Sequence, residues 1–274
     1  MDSLNYIFIF QFLLSSMLAL VLFIAWYSIQ RSAYTLLWSL FFVCSLINLS
    51  LNANSNLFPD RDIYWIVVNA SSLLMLSVSI ASWRLRSGMT VFPKLFLAYI
   101  VGVEVLLIFF TVVSPHMGLR MVLIPYATTI MSIICIRALL NVGERKIRIT
   151  EYGVMFFFLL EGAAQFAAGS VALMQGVEAD SYCLNLYGRI IFMLMPLTFT
   201  GFGLFTIVIL AEDLLQRVKR LEGLLPICSY CKDIRDEQDR WSSLEKYISE
   251  KTDAHFSHGV CPKCVPRAKT YGLS

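Results

Sequence analysis

Residues 6–29 read "YIFIFQFLLSSMLALVLFIAWYSI", and this stretch decides the fold class. It contains no charged side chain, and it exceeds the roughly 20 apolar residues that a helix needs to cross a bilayer core of about 30 Å. A secretory signal would carry basic residues before its apolar core, whereas Asp2 precedes this one. The stretch therefore predicts a retained transmembrane helix.

Six further stretches of similar length and hydropathy follow. They are residues 34–52, 63–83, 95–113, 121–140, 152–174 and 187–210. Hydrophobic residues make up 58% of the chain and charged residues 15%, which excludes an ordinary soluble domain. The formal net charge of +3 is too small to indicate a nucleic-acid partner. The sequence predicts an all-α membrane protein with a seven-helix transmembrane domain over residues 1–211, in contact with membrane lipid.

The basic residues predict which side of the membrane each loop occupies. Of the eleven basic residues before Glu212, eight lie in or beside alternate connections, namely Arg31, Arg84, Arg86, Lys94, Arg137, Arg145, Lys146 and Arg148. The opposite loops carry only Arg61 and Arg120, with Arg189 just inside the next helix. Because cytoplasmic loops are enriched in lysine and arginine, we expect the N-terminus outside and the C-terminus in the cytoplasm, in a multi-pass protein of a bacterial inner membrane.

The composition changes abruptly near Glu212, which marks a predicted domain boundary. Residues 212–225 predict a juxtamembrane helix, and residues 226–274 a small cytoplasmic module. Apolar residues recur at alternating spacings of four and three, at Ile207, Ala211, Leu214, Val218, Leu221 and Leu225. This spacing is that of a two-stranded coiled coil, so residues 207–225 could form a homodimer; the alternative is an amphipathic stretch that faces lipid head groups.

Four cysteines form two CxxC pairs in the module, Cys228 with Cys231 and Cys261 with Cys264. Such pairs serve in metal sites, disulfides and redox catalysis. The predicted cytoplasmic location argues against structural disulfides, and the tail is too short for a thioredoxin-like fold. Four thiolates in this pattern predict a closed tetrahedral zinc site, with iron as the alternative metal. His258 could replace a cysteine ligand, or hydrogen-bond around the site. Metal loss on oxidation would make the site a redox sensor.

The insert between the two pairs predicts one short helix. In "RWSSLEKYISEKTD", Trp241, Leu244, Tyr247 and Ile248 share a helical face. Ser242 followed by Glu245 matches a capping box at the helix start. So small a unit buries little apolar surface, so we expect the metal to supply much of its folding free energy.

The tail also resembles a module found at the C-termini of many bacterial signalling proteins, including PAS-containing histidine kinases and response-regulator chains. The resemblance is carried by Pro226, Ile227, Cys228, Cys231, Lys232, Ile234, Arg235, Trp241, Glu245, Tyr247, Ile248, Phe256, Ser257, His258, Gly259, Cys261, Pro262 and Cys264. It covers about a sixth of the chain and implies a two-component signalling context. The seven-helix layout is similar to that of sensor domains in bacterial signalling proteins.

Two acids lie within the predicted spans. Glu104 and Glu161 are each the tenth residue of a span that runs in the same direction, and Gln165 follows Glu161 by one helical turn. An ionisable group at membrane depth is a functional hypothesis by default. The two acids could share a ligand or proton-sensing pocket, line an ion or substrate path, or simply hydrogen-bond between helices.

The residues together favour a membrane signal-transduction protein: a seven-helix sensor coupled to a zinc-binding output or docking module that contacts a separate protein. No kinase, cyclase or receiver domain fits after Glu212, so we expect no enzymatic activity. The alternative is a small transporter or intramembrane enzyme that uses Glu104 and Glu161, with the zinc module as a structural appendage.

Overall fold

The computed structural model describes residues 3–29, 31–91, 94–141, 146–178, 180–222, 226–236, 239–251, 255–257 and 259–265. The chain divides into two compact units, Met1–Glu212 and Asp213–Ser274. The first unit is helical, and the second contains a short strand pair and a short helix.

Seven helices account for nearly all of the first unit. They are α1 (Ser3–Ser28), α2 (Ala33–Ala53), α3 (Arg61–Arg86), α4 (Lys94–Ile108), α5 (Met117–Leu140), α6 (Ile149–Leu173) and α7 (Ser181–Glu222). One π-helical turn, Phe109–Val113, extends α4. All seven are long and apolar enough to cross a membrane, α4 together with its π turn. The predicted helical, multi-pass membrane architecture is confirmed.

Polar side chains set several helix ends beyond the apolar stretches. Asp60 caps α3, since its carboxylate accepts a hydrogen bond from the Asp62 N–H at 2.8 Å. His116 caps α5, where its Nδ1 accepts from the Leu119 N–H at 3.3 Å. The span expected over 187–210 and the juxtamembrane helix expected over 212–225 form one continuous helix, α7, which begins six residues before the expected span, at Ser181. The first and last turns of α7 are polar, so a hydropathy pattern does not detect them, yet their backbone hydrogen bonds continue the same helix.

The helices pack mainly on sequence neighbours, but α3 also packs on α5, and aromatic rings fill the space beside two glycines. α1 packs on α2, α2 on α3, and α5 on α6. A Cβ atom at Gly153 would meet the ring of Phe205, and one at Gly201 would meet the ring of Phe157, so each glycine makes room for an aromatic ring of the facing helix. We call the end with the α2–α3, α4–α5 and α6–α7 connections the α2–α3 end, and the other the α3–α4 end.

The second unit contains strands β1 (Ile234–Arg235) and β2 (Trp241–Ser242) and helix α8 (Leu244–Lys251). The strands pair antiparallel, with Ile234 opposite Ser242. The predicted helix exists, but two details of the prediction are wrong. Trp241 lies in β2 because pairing with β1 holds it extended. The helix is capped by Ser243, whose Oγ accepts from the Lys246 N–H at 3.4 Å, so the predicted capping box that begins at Ser242 is out of register by one residue.

Candidate functional site

A cavity of about 440 Å³ lies inside the bundle and is lined by residues of α1, α2, α3, α5, α6 and α7. Most of its wall is apolar, with aromatic side chains from Phe8, Trp38, Phe41, Phe42, Trp65, Trp83, Phe158, Tyr187, Phe192, Phe199 and Phe202. Polar groups come from Asn48, Asn52, Asn69, Ser72, Ser79, Ser82, Arg120, Thr128, Ser132, Glu161, Gln165 and Thr206. An apolar cleft with a few convergent polar groups is typical of a small-molecule site.

The cavity is long and narrow. Trp65 and Trp83 both line it, and they stand 18 positions apart on α3 (83 minus 65). At a rise of 1.5 Å per residue, this separation is about 27 Å, close to the thickness of a bilayer core. The available space is therefore a slot along the helix axes.

The polar wall near the α2–α3 end is already hydrogen-bonded. The Asn48 Nδ2 donates to Ser71 Oγ at 2.7 Å and to Ser72 Oγ at 2.9 Å, which ties α2 to α3. Tyr64 Oη donates to Asn52 Oδ1 at 3.3 Å. The side-chain amides of Asn48 and Asn52 therefore hold α2 against α3, and most of their hydrogen-bonding groups are already used within the protein.

Glu161 lies in the cavity wall and links α6 to α7. Its Oε1 accepts from Gln165 Nε2 at 2.8 Å, which is the contact that the helical spacing predicts. Its Oε2 accepts from Thr198 Oγ1 at 2.7 Å, and Thr198 is completely buried. Sequence reasoning missed Thr198, because a threonine in an apolar span carries no distinctive pattern.

Glu104 is not among the residues that line this cavity. It lies on α4, half-buried, and its Oε2 is buried without a hydrogen-bond partner in the described part of the chain. The structure thus brings Glu161 and Gln165 together in the cavity, but it does not bring Glu104 to them.

Two hydrogen-bond donors in the cavity wall have no acceptor among the described residues. The first is Arg120 Nε, which is buried; its guanidinium lies 4.9 Å from the ring centroid of Trp65. The second is Trp38 Nε1, on a side chain that is only 3% exposed and contacts Trp83 with ring centroids 5.0 Å apart. Buried donors without acceptors are rare in folded proteins, so both mark places where an acceptor is expected.

A buried ionic cluster closes the α3–α4 end. Arg86 Nη1 lies 2.7 Å from Glu151 Oε1, and these side chains are 6% and 0% exposed. The Glu151 Oε2 also accepts from the backbone N–H of Arg148 at 3.0 Å. Glu212 Oε2 accepts from Thr150 Oγ1 at 2.8 Å and pairs with Arg148 Nη1 at 3.3 Å. The cluster joins α3, α6 and α7 near the point where α7 leaves the first unit.

The four cysteines of the tail lie in two tight turns. Lys232 N–H donates to Cys228 O at 3.1 Å, and Lys232 adopts a φ of 66°, which bends the chain back after the first pair. In the second turn Cys264 N–H donates to Cys261 O at 2.8 Å. Backbone hydrogen bonds from Cys231 and Tyr230 lower the pKa of Cys228, and a hydrogen bond from the Cys264 thiol lowers the pKa of Cys261. The pKa of one cysteine in each turn therefore lies below its usual value, whereas a hydrogen bond with the Cys228 thiol and burial help to raise the pKa of Cys231.

Each turn fits half of a tetrahedral zinc site by its donor chemistry. The structure brings Cys228 to Cys231 and Cys261 to Cys264. Within the ranges described, no three cysteine, histidine or acidic side chains gather into one metal-binding group. His258, the predicted alternative ligand, lies outside the described residues.

No protein family, curated protein or solved structure matches the chain. Function is therefore inferred from the chemistry of the cavity and of the two cysteine turns.

Proposed function

We propose that this chain is a membrane signal-transduction protein, whose bundle binds a small molecule and whose cysteine tail passes the change to a separate protein. The observation that carries the proposal is that α7 belongs both to the cavity wall and to the segment that leads into the tail. It forms one wall of the cavity, from Leu184 to Thr206, and the same helix continues to Glu222 in the second unit. A ligand in the cavity would therefore touch the helix that leads into the tail.

The polar contacts of α7 suggest how the change would be transmitted. Thr198 is bonded to Glu161 beside the cavity, and Glu212 is bonded to Thr150 and Arg148 at the α3–α4 end. A ligand that favours one arrangement of α7 would shift the population between two packings of the bundle. The orientation predicted from the loop charges would place the tail in the bacterial cytoplasm.

The proposed role of the tail is a docking or output module held by zinc. Cys228, Cys231, Cys261 and Cys264 would supply four thiolates, a closed set that stabilises a fold and leaves no position for catalytic water. Dimerisation through residues 207–225 remains a separate expectation. Within that segment Val218 is 49% exposed, and Leu225 falls outside the described residues.

Transport or intramembrane catalysis by the two acids gains less support from the geometry. Both oxygens of Glu161 already accept hydrogen bonds, and Glu104 does not line the cavity. A sensing role needs only that the cavity be occupied and that α7 respond.

A complementation experiment in the native host tests the proposal. A deletion strain is complemented with the wild type, with a chain truncated after Gly223, or with Gly188→Leu, and transcript profiles are compared. Gly188 lines the cavity, and a Cβ there meets only Phe192 at 3.8 Å, so leucine would fill the cavity with little strain. Gly102→Leu is the matched control, since no atom lies within 4 Å of its Cβ position.

If the chain signals as proposed, strains that carry the truncated chain or Gly188→Leu should have the same transcript profile as the deletion strain. The strain that carries Gly102→Leu should have the wild-type profile. If the truncated chain restores the wild-type profile, the tail is not the output and the proposal fails.

A further inference from the structure

We infer that the cavity binds an elongated, single-chain organic acid, with its acid group at Arg120 and its chain running between the aromatic side chains toward Trp38. The inference rests on the proposed function for its role in signalling. Binding itself can be measured without any signalling output.

The shape of the cavity selects a chain. A volume of about 440 Å³ distributed along most of the 27 Å between Trp65 and Trp83 leaves a narrow cross-section. A compact ligand would leave much of this slot empty, whereas an extended chain would contact Phe42, Phe158 and Phe199 along its length. Removing a chain from water is favourable by about 25 cal/mol per Å² of apolar surface.

Arg120 selects an acid as the head group. It lies three residues from the start of α5, at the α2–α3 end, with its Nε buried and without an acceptor among the described residues. Asp62 acts on it electrostatically, yet the described residues form no ion pair with it. The guanidinium lies over the Trp65 ring, 4.9 Å from its centroid, and a guanidinium presents N–H groups in the geometry that a carboxylate accepts.

The unpaired donor Trp38 Nε1 indicates that the far end of the ligand chain carries a hydrogen-bond acceptor. Trp38 Nε1 lies 15 residues below the end of α2, and Arg120 lies three residues below the start of α5 at the same end of the bundle. The two donors are therefore about 18 Å apart in depth. A chain with an acceptor at its far end would satisfy both. Glu161 already accepts hydrogen bonds from Gln165 and Thr198, whereas Arg120 Nε has no acceptor among the described residues, so the wall lacks an acceptor such as a carboxylate.

The test uses the full chain in nanodiscs of zwitterionic phosphatidylcholine and a hexadecanoate brominated at mid-chain. Three of the five tryptophans, Trp38, Trp65 and Trp83, line the cavity, so a bound bromine atom should quench much of the tryptophan fluorescence. Unlabelled hexadecanoate and hexadecylamine, which share the same chain, then compete with the brominated probe. The inference predicts saturable quenching that hexadecanoate reverses and hexadecylamine does not.

Variants locate the head group. Arg120→Gln should weaken binding about tenfold or more, since a hydrogen bond to a charged group is lost. Arg189→Gln is the control, because Arg189 is exposed on α7 and does not line the cavity. Equal competition by the amine, or unchanged binding in Arg120→Gln, would overturn the inference. Should Arg120→Gln fail to fold, the comparison of acid with amine on the wild type decides.

Two further arms separate the sources of an acidic chain. Hexadecanoate binding that disappears when phosphatidylglycerol is added to the nanodiscs would overturn the single-chain assignment in favour of an anionic bilayer lipid. A terminal hydroxyl, in 16-hydroxyhexadecanoate, should tighten binding about threefold to tenfold through Trp38 Nε1, and weaker binding than hexadecanoate would contradict the proposed direction of the chain. If the acid does not bind but Gly188→Leu still abolishes signalling, the ligand class is wrong and the proposed function stands.

Discussion

The membrane bundle and the cysteine tail are stabilised in different ways. The bundle buries polar groups against partners far along the chain, such as Ser15 with Ser45 and Arg86 with Glu151. In the described part of the tail, Ile234 is the one side chain that is fully buried, and the hydrogen bond between Arg240 and Asp236 is local. The difference teaches that the bundle carries its own long-range side-chain interactions, whereas the described part of the tail shows little core of its own.

Removing metal from the tail is expected to have the largest effect. Structural zinc contributes about 10 to 16 kcal/mol in small domains, and a unit with so little core cannot replace that free energy. In the full chain, a strong zinc chelator should abolish amide-exchange protection over residues 226–265 and leave the protection of the bundle unchanged. Cys261→Ser should do the same without chelator.

Cys44→Ser is the control for this prediction, because Cys44 lies half-buried in α2 and belongs to the first unit. Protection of β1 and β2 that survives chelation and Cys261→Ser would show that the tail folds without metal, and the contrast between the two regions would disappear.

Breaking the Arg86–Glu151 pair is expected to have the next largest effect. Arg86→Met would remove the 2.7 Å ion pair from the fully buried Glu151 carboxylate, and breaking a buried pair in this way costs about 3 to 5 kcal/mol. Reversible unfolding of the full chain in mixed micelles measures the loss. The double variant Arg86→Met/Glu151→Met should regain part of it, because the buried charge is removed.

Arg84→Met is the matched control on the same helix turn. Its Nε donates to Thr90 O at 2.7 Å, a local and exposed contact, so its loss should cost less than about 1.5 kcal/mol. Equal losses for Arg84→Met and Arg86→Met would mean that the buried cluster gives the bundle no special stability.

The sequence was sufficient for the seven helices because each needs its own apolar stretch, which hydropathy detects locally. It was not sufficient for the contacts that build the site. Arg86 and Glu151 are 65 residues apart, and their pairing depends on which faces α3 and α6 turn toward each other. Glu161 was noticed because acids are rare at membrane depth, whereas Thr198, its partner, was not. In the tail, apolar spacing suggested that Trp241 was helical, but strand pairing overrides that local pattern.

Close helix packing in the bundle provides a smaller test. A Cβ atom at Gly118 would collide with the backbone oxygens of Gln175 and Ala172, which cannot move aside as a flexible side chain can. Gly118→Ala should therefore lower the free energy of unfolding by about 1 to 3 kcal/mol. Gly102→Ala, with nothing within 4 Å, should be neutral or stabilising by up to about 1 kcal/mol. Reversed signs in micelle unfolding would show that α5 and the α6–α7 connection do not approach as closely as described.

The smallest expected effect concerns the bond between Glu161 and Thr198. Thr198→Val keeps the shape of the side chain and removes the Oγ1 donor, at a cost of about 0.6 kcal/mol and at most about 1.7 kcal/mol, as for other hydrogen bonds inside membranes. The informative quantity is coupling. Thr198→Val and Glu161→Gln should be non-additive because they remove the same contact, whereas Glu104→Gln and Glu161→Gln should be additive, since Glu104 does not share the cavity. Non-additive effects of Glu104→Gln and Glu161→Gln would show that the two acids act in one site. Additive effects of Thr198→Val and Glu161→Gln would show that Glu161 does not couple to α7 through this hydrogen bond.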